Sequence, residues 1–150
     1  MELFLTIIAG VSVFAIGQIV LKLIIEPIQE FKKTISLIAH DLILYANVYT
    51  SPGAQGDEKQ AEMSQQMRKL SSMLRSNMCL IPKYDKTRIL FGLPKRKDVS
   101  EAAGKLIAIS NCNISNCDKG IENARRAQHI REALGIYIPE GERLNPECED

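Results

Sequence analysis

The chain has no tryptophan and only eight aromatic residues among 150. Strands in sandwiches and barrels draw heavily on aromatic and β-branched side chains, so this shortage argues against an all-β fold. No P-loop, G-x-G-x-x-G or H-E-x-x-H pattern occurs. With two histidines, His40 and His129, no Ser-His-Asp or Cys-His arrangement can be argued. His40 and Asp41 are adjacent, and consecutive side chains on a helix diverge by about 100°. His40 therefore reads as a surface histidine. Glu26, Glu30 and the C-terminal acids form no paired-carboxylate site. Cys79, Cys112, Cys117 and Cys148 show no C-x-x-C and no framework spacing. They read as free thiols of a reducing compartment and not as zinc ligands. No catalytic residue, metal or cofactor is expected, and the chain reads as a non-enzyme.

Positive charge is also missing at the start: no Lys or Arg precedes Lys22. What stands there is a long apolar run. Leu3 to Leu21 carries no charge, and twelve of its 19 residues are Leu, Ile, Val or Phe. The run continues past Lys22 to Ile25. As a helix, Leu3–Ile25 is about 34 Å long at ~1.5 Å per residue, enough to cross a hydrocarbon core of about 30 Å. A cleaved signal peptide has a basic start and an apolar stretch of only about 7–15 residues, and neither feature is present. Lys22, Lys32 and Lys33 follow the span closely. By the positive-inside rule they place the C-terminal part in the cytoplasm and the N-terminus outside. The implied location is a membrane, with the bulk of the chain on its cytoplasmic side.

Beyond the span the pattern is helical. Pro27 marks a kink or a break. Ile28, Phe31, Ile35, Ile38, Leu42 and Tyr45 then recur at spacings of three and four, a stripe on a second helix from about Pro27 to Tyr49. Extrapolated backward, the stripe meets Gly17 and Gly10, small residues that let helices approach closely. Two readings stay open: a seam between copies of the chain in a homo-oligomer, or a face turned to the chain's own core or the membrane surface. Ser51–Gly56 is a loop by its turn residues. Asp57 with Gln60 has capping-box spacing and opens a third helix, with Met63, Met67, Leu70, Leu74 and then Met78 or Ile81 inward, ended by Pro82.

Residues 83–97 break the helical pattern. Gly92 and Pro94 argue against a long helix, and Ile89, Leu90 and Phe91 suggest a short strand or an apolar plug. Asp98 with Glu101 again has capping-box spacing, with Val99, Ala102, Ala103, Leu106 and Ile107 inward. Ile114, Cys117, Ile121 and Ala124 continue the pattern, so residues 98–134 form one helix or two, with Gly120 and the polar stretch before it favouring a break. Gly135–Ile136 has the form of a helix C-cap, and residues 140–150 form an acidic tail. The expected fold is all-α: a transmembrane anchor (1–26), a juxtamembrane helix (27–50), a cytoplasmic helical domain (51–139) and the tail (140–150).

Charge is unevenly placed. Arg68 to Lys97 holds nine Lys or Arg and one acid, Asp85, in a chain of net charge +1. The candidate anion-binding residues are Lys83, Lys86, Arg88, Lys95, Arg96 and Lys97, with Arg75 as an outlying contributor. Tyr84 and Phe91 lie among them, placed to stack on a base. Such a stretch attracts nucleotides or cyclic oligonucleotides, nucleic acid, or anionic lipid headgroups. A solvated basic face, or one that meets the acidic tail, is the plainer reading.

The stretch EPIQEFKKTISLIAHDLILYANVYTSPG (26–53), with MRKLSSMLRS (67–76) and LIAISN (106–111), resembles a family of short, mostly uncharacterised bacterial single-pass membrane proteins. By layout alone the chain is also similar to the membrane effectors of type III CRISPR systems, which pair an anchor with a cytosolic domain that binds cyclic oligoadenylate. The first resemblance implies architecture. The second implies a membrane-anchored sensor or effector, in antiviral defence, whose ligand changes membrane-helix packing. A structural or scaffold subunit that recruits a protein partner is the alternative.

Overall fold

A computed structural model describes residues 1–112 and 120–144. Every regular element among them is helical. The first surprise is at Pro27. Its missing N–H and its ring, which crowds the carbonyl of Leu23, would break an ordinary α-helix. Instead the helix widens by one turn. The first α-helix, α1 (Glu2–Val20), passes into a π turn at Leu21–Ile25, where the N–H of Glu26 reaches back to the Leu21 carbonyl. The second, α2 (Glu26–Leu44), follows without interruption. Glu2–Leu44 is thus one helical rod of 43 residues.

The two halves of the rod meet different surroundings. No residue of α1 is buried. On α2, Ile28, Phe31, Ile38 and Leu42 are buried, and Ile35 and Tyr45 pack against the same core. Over α2 the 3–4 stripe is therefore internal core, while its backward extension through Gly17 and Gly10 is exposed. A turn at Tyr45 leads to the short α3 (Ala46–Thr50), so the juxtamembrane helix ends five residues earlier than its periodicity suggests.

The third periodic stretch is α4 (Asp57–Leu80). Met63, Met67, Leu70, Leu74 and Met78 are buried on it as expected, and Ile81 is buried just beyond. Three polar contacts fix α4 antiparallel to α2. Asn77 donates to the Thr34 hydroxyl at 2.8 Å, Gln66 donates to the Asp41 carboxylate at 2.9 Å, and the Tyr45 hydroxyl donates to Glu62 at 3.1 Å. The segment after Pro82 is not a strand or a plug. It forms a two-turn helix, α5 (Tyr84–Phe91), entered through Lys83 at φ 45° and closed by Gly92 at φ 64°. Gly92 thus ends a helix where the sequence suggested that it forbade one.

Arg96–Ser110 is α6, two residues longer at its start than expected, and Gly120–Leu134 is α7. Among the described residues, 98–110 and 120–134 therefore lie on two separate helices. Ile121, expected inward, is exposed, and Ile114 and Cys117 lie outside the described residues. Neither expected capping box forms. Asp57 and Asp98 make no capping bond, Gln60 turns inward to donate to the Cys112 carbonyl at 2.9 Å, and Glu101 turns to Lys105 and His129. The C-cap at Gly135 does form: at φ 70° it lets Ile136 N–H reach the Arg131 carbonyl at 2.8 Å while its own N–H meets Glu132 at 3.2 Å.

α6 runs antiparallel to α4, with Ser71 donating to the Ala103 carbonyl and Ser64 to that of Ser110. α7 runs antiparallel to α6, since His129 meets Glu101 while Asn123 donates to Cys112 Sγ. These directions give the bundle two ends. The end beside Pro27 gathers the C-terminus of α4, all of α5, the start of α6 and the end of α7. The far end gathers α3 and the start of α7, where Gly120 lies so close to Thr50 that a Cβ would collide with the Thr50 carbonyl.

Candidate functional site

The basic stretch acquires a shape from these helices. Lys83 caps α5, Lys86 and Arg88 lie on it, and Lys95, Arg96 and Lys97 open α6. Gly92–Pro94 is all that separates the two groups, so the six cations share the end of the bundle beside Pro27. Arg75 is exposed on α4, two turns before Lys83. Arg68 lies further off and donates to Asn111 near the opposite end. The local charge is thus narrower than the Arg68–Lys97 window implied.

Tyr84 organises this end. It is 1% exposed, meets the Phe31 ring edge-on at 6.0 Å, and donates its hydroxyl to the Pro94 carbonyl at 2.9 Å. The Arg96 guanidinium sits 5.2 Å from its ring centre, a cation–π distance. Burial drives the Tyr84 pKa up to about 12, against the opposing pull of the Arg96 and Arg88 charges. Tyr84 thus binds α5 to α2 and to the α5–α6 link. It is not free to stack on a base, and Phe91 is half-buried against the same core. The expectation that Tyr84 stacks on a base is overturned by this packing. Backbone N–H groups here are also engaged: Lys86 and Thr87 donate to the Lys83 carbonyl and Leu93 donates to that of Arg88.

Three cations elsewhere in the molecule have carboxylate partners. Lys33 meets Glu30, Lys105 meets Glu101, and Arg126 meets Glu122. Among the described residues, none of Lys83, Lys86, Arg88, Lys95, Arg96 and Lys97 has a carboxylate partner. Three of them occupy the start of α6, where the helix dipole disfavours positive charge. Arg96, Lys97, Ser100 and Glu101 line an open depression and not an enclosed cavity.

Two features escaped sequence reasoning. The outer face of α5 carries Ile89 and Leu90 beside Lys86, and these two apolar side chains are 75% and 79% exposed. Leu80, just before α5, and Tyr137, just past α7, are exposed at the same end. The signal for this face was available only once Tyr84, Arg88 and Phe91 were known to turn inward. The second feature is the His40–Asp41 pair. The side chains do not diverge: His40 Nδ1 lies 2.9 Å from Asp41 Oδ1, while Gln66 holds the other carboxylate oxygen. Asp41 is buried and His40 exposed, so the pair anchors α2 to α4 at its surface.

Among the described residues no group of three or more His, Cys, Asp or Glu is placed to hold a metal ion. Cys79 and Cys112 are free thiols, exposed and buried respectively, and Cys117 and Cys148 lie outside the described residues. The chain matches no protein-family model, no curated protein and no solved structure.

Proposed function

We propose that this is a single-pass membrane-anchored sensor or effector, without catalytic activity, whose cytoplasmic bundle presents an anion-binding end to its surroundings. One observation carries the reading. The same unbroken helix is a bare apolar rod over α1 and a core element over α2. Nineteen residues with nothing buried would be untenable in water, since apolar burial is worth about 25 cal/mol per Å². In a bilayer they need no further cover. Continuity of α1 into the core also speaks for a retained span over a removed signal sequence. Lys22, Lys32 and Lys33 support a cytoplasmic bundle, and the free thiols of Cys79 and Cys112 fit that compartment.

The six cations, none with a carboxylate partner among the described residues, support an anionic ligand or surface as the occupant of the basic end. Because α2 is both the lining of that end and the continuation of the span, an event there acts on the membrane helix directly. A nucleotide lacks its stacking partners, so the phosphate chemistry is the firmer part of this reading. The test is in two parts. The protein is expected to stay in the membrane pellet after alkaline carbonate extraction. A reporter fused after Asp150 is expected to work only if its activity requires the cytoplasm. Release by carbonate, or a periplasm-dependent reporter that works there, would refute the anchor or its orientation.

A further inference from the structure

We infer that the basic end of the bundle docks flat on the anionic headgroups of the protein's own membrane, with α5 lying in the interface. The inference rests on the reading of α1 as a span and names the occupant of the cationic surface described above.

Height is the first argument. The apolar run ends at Ile25. Ile28, three residues on and about 4.5 Å further along the axis at ~1.5 Å per residue, is 3% exposed. A residue on a lone helix cannot be so covered by its own neighbours, so other elements reach this level. Phe31, about 9 Å past Ile25 by the same rise, touches Tyr84, the first residue of α5. A headgroup layer is roughly 5–8 Å thick on each side of the hydrocarbon core. The continuous rod therefore holds the start of α5 at the outer edge of the headgroup layer, within reach of its side chains.

Composition is the second argument. With Tyr84, Arg88 and Phe91 turned inward, the outer face of α5 presents Ile89 and Leu90 beside Lys86. Apolar side chains rimmed by Lys and Arg are the mark of a helix lying in a membrane interface. In water the same two residues would be an uncovered apolar pair. Tyr137, exposed at the same end, is of the residue type enriched at headgroup level. Charge complementarity is the third argument. The inner leaflet is anionic, and each Lys or Arg near it strengthens attraction about fivefold. Lys83, Lys86, Lys95, Arg96 and Lys97 are exposed here without carboxylate partners among the described residues, and the last three open α6, where the helix dipole otherwise disfavours them.

The absence of tryptophan allows a direct test on the full chain. Three single-tryptophan variants, Leu90→Trp, Val13→Trp and Ile121→Trp, all replace exposed residues. Each would be reconstituted into phosphatidylcholine vesicles, with and without phosphatidylglycerol, containing lipids brominated either near the headgroup or near the chain end. Val13→Trp reports the span, Leu90→Trp the docking face and Ile121→Trp the far end. The expected result is deep quenching for Val13→Trp, shallow quenching for Leu90→Trp that grows with phosphatidylglycerol, and none for Ile121→Trp. Replacing Lys86, Lys95, Arg96 and Lys97 by Gln should remove the phosphatidylglycerol dependence at Leu90→Trp. An unquenched Val13→Trp would overturn the span itself. Quenched Val13→Trp with Leu90→Trp in water on both vesicle types would overturn the docking alone. Equal quenching of Leu90→Trp on both would overturn its anionic basis. So would protection of Leu90→Trp by an added cyclic oligonucleotide but not by phosphatidylglycerol.

Discussion

α1 and α2 are one helix with two different surroundings. Their backbones are continuous, both are 19 residues long, and both are rich in Leu, Ile and Phe. Yet α1 buries nothing, while α2 buries one face completely. The difference lies in how the apolar residues are distributed. On α1 they surround the helix, so no face is preferred, the pattern that a span through an apolar medium would have. On α2 Glu30, Lys32, Lys33 and His40 are exposed, while Ile28, Phe31, Ile38 and Leu42 form a buried stripe and Leu37, Ile43 and Leu44 stay exposed. Helix propensity is shared by both halves; patterning decides which becomes a core element.

The sharpest way to break the comparison is to make one substitution in both halves. Phe31→Ala removes a fully buried ring that touches Tyr84 and is expected to cost about 3–5 kcal/mol. Phe14→Ala, 68% exposed on α1, is expected to leave thermal unfolding of the bundle within about 0.5 kcal/mol of the native value. Similar losses at both sites would mean that α1 is packed against protein.

Glycines supply the next contrast. Gly120→Ala drives a Cβ into the Thr50 backbone and should destabilise by roughly 1–3 kcal/mol, the usual cost of overpacking. Gly10 and Gly17 have open space around the same position, so alanine there should be neutral in denaturant titrations of the bundle. A neutral Gly120→Ala would show that α3 does not press on α7.

Tyr84 sharpens the comparison at the junction. Its folded pKa is raised, chiefly by burial, so the neutral form favours the fold. That stability is fully present below the unfolded tyrosine pKa near 10 and is lost as pH climbs through about 12. The burial-raised Tyr45 adds the same sign more weakly at the far end. Tyr84→Phe should flatten the alkaline fall in melting temperature. It should also cost about 1 kcal/mol at neutral pH through the lost bond to Pro94. An unchanged alkaline slope would point to other groups. The smallest effect belongs to Lys83, held at φ 45° without being glycine. Lys83→Gly relieves that strain and is expected to stabilise by no more than about 1 kcal/mol, measurable by chemical denaturation.

Much of the fold was legible where spacing was regular. The inward residues of α2 and α4, the apolar run of α1 and the Gly135 cap all follow from periodicity and turn chemistry. What escaped had a local signal with two physical solutions. Pro27 admits a break or a widened turn, and only the covering of Ile28 and Phe31 by other helices selects the second. Gly92 reads equally as a breaker or a cap, so α5 was missed, and with it the outer face that Ile89 and Leu90 share with Lys86. The basic residues themselves were visible. Their surface was not, because Tyr84 and Phe91 look available for stacking until Phe31 and the Pro94 carbonyl claim Tyr84.

The central claim is that the span and the bundle are joined by one unbroken helix that fixes the basic end at the membrane. Amide hydrogen exchange on the full chain in lipid nanodiscs tests it most directly, because exchange reads local opening residue by residue. Protection is expected to run without a gap from Val13 through Leu21–Glu26 to Phe31, sparing only the proline at 27. Fast exchange across Leu21–Glu26, with protection on either side, would mean a flexible joint between an anchor and an independent domain, and would contradict the account.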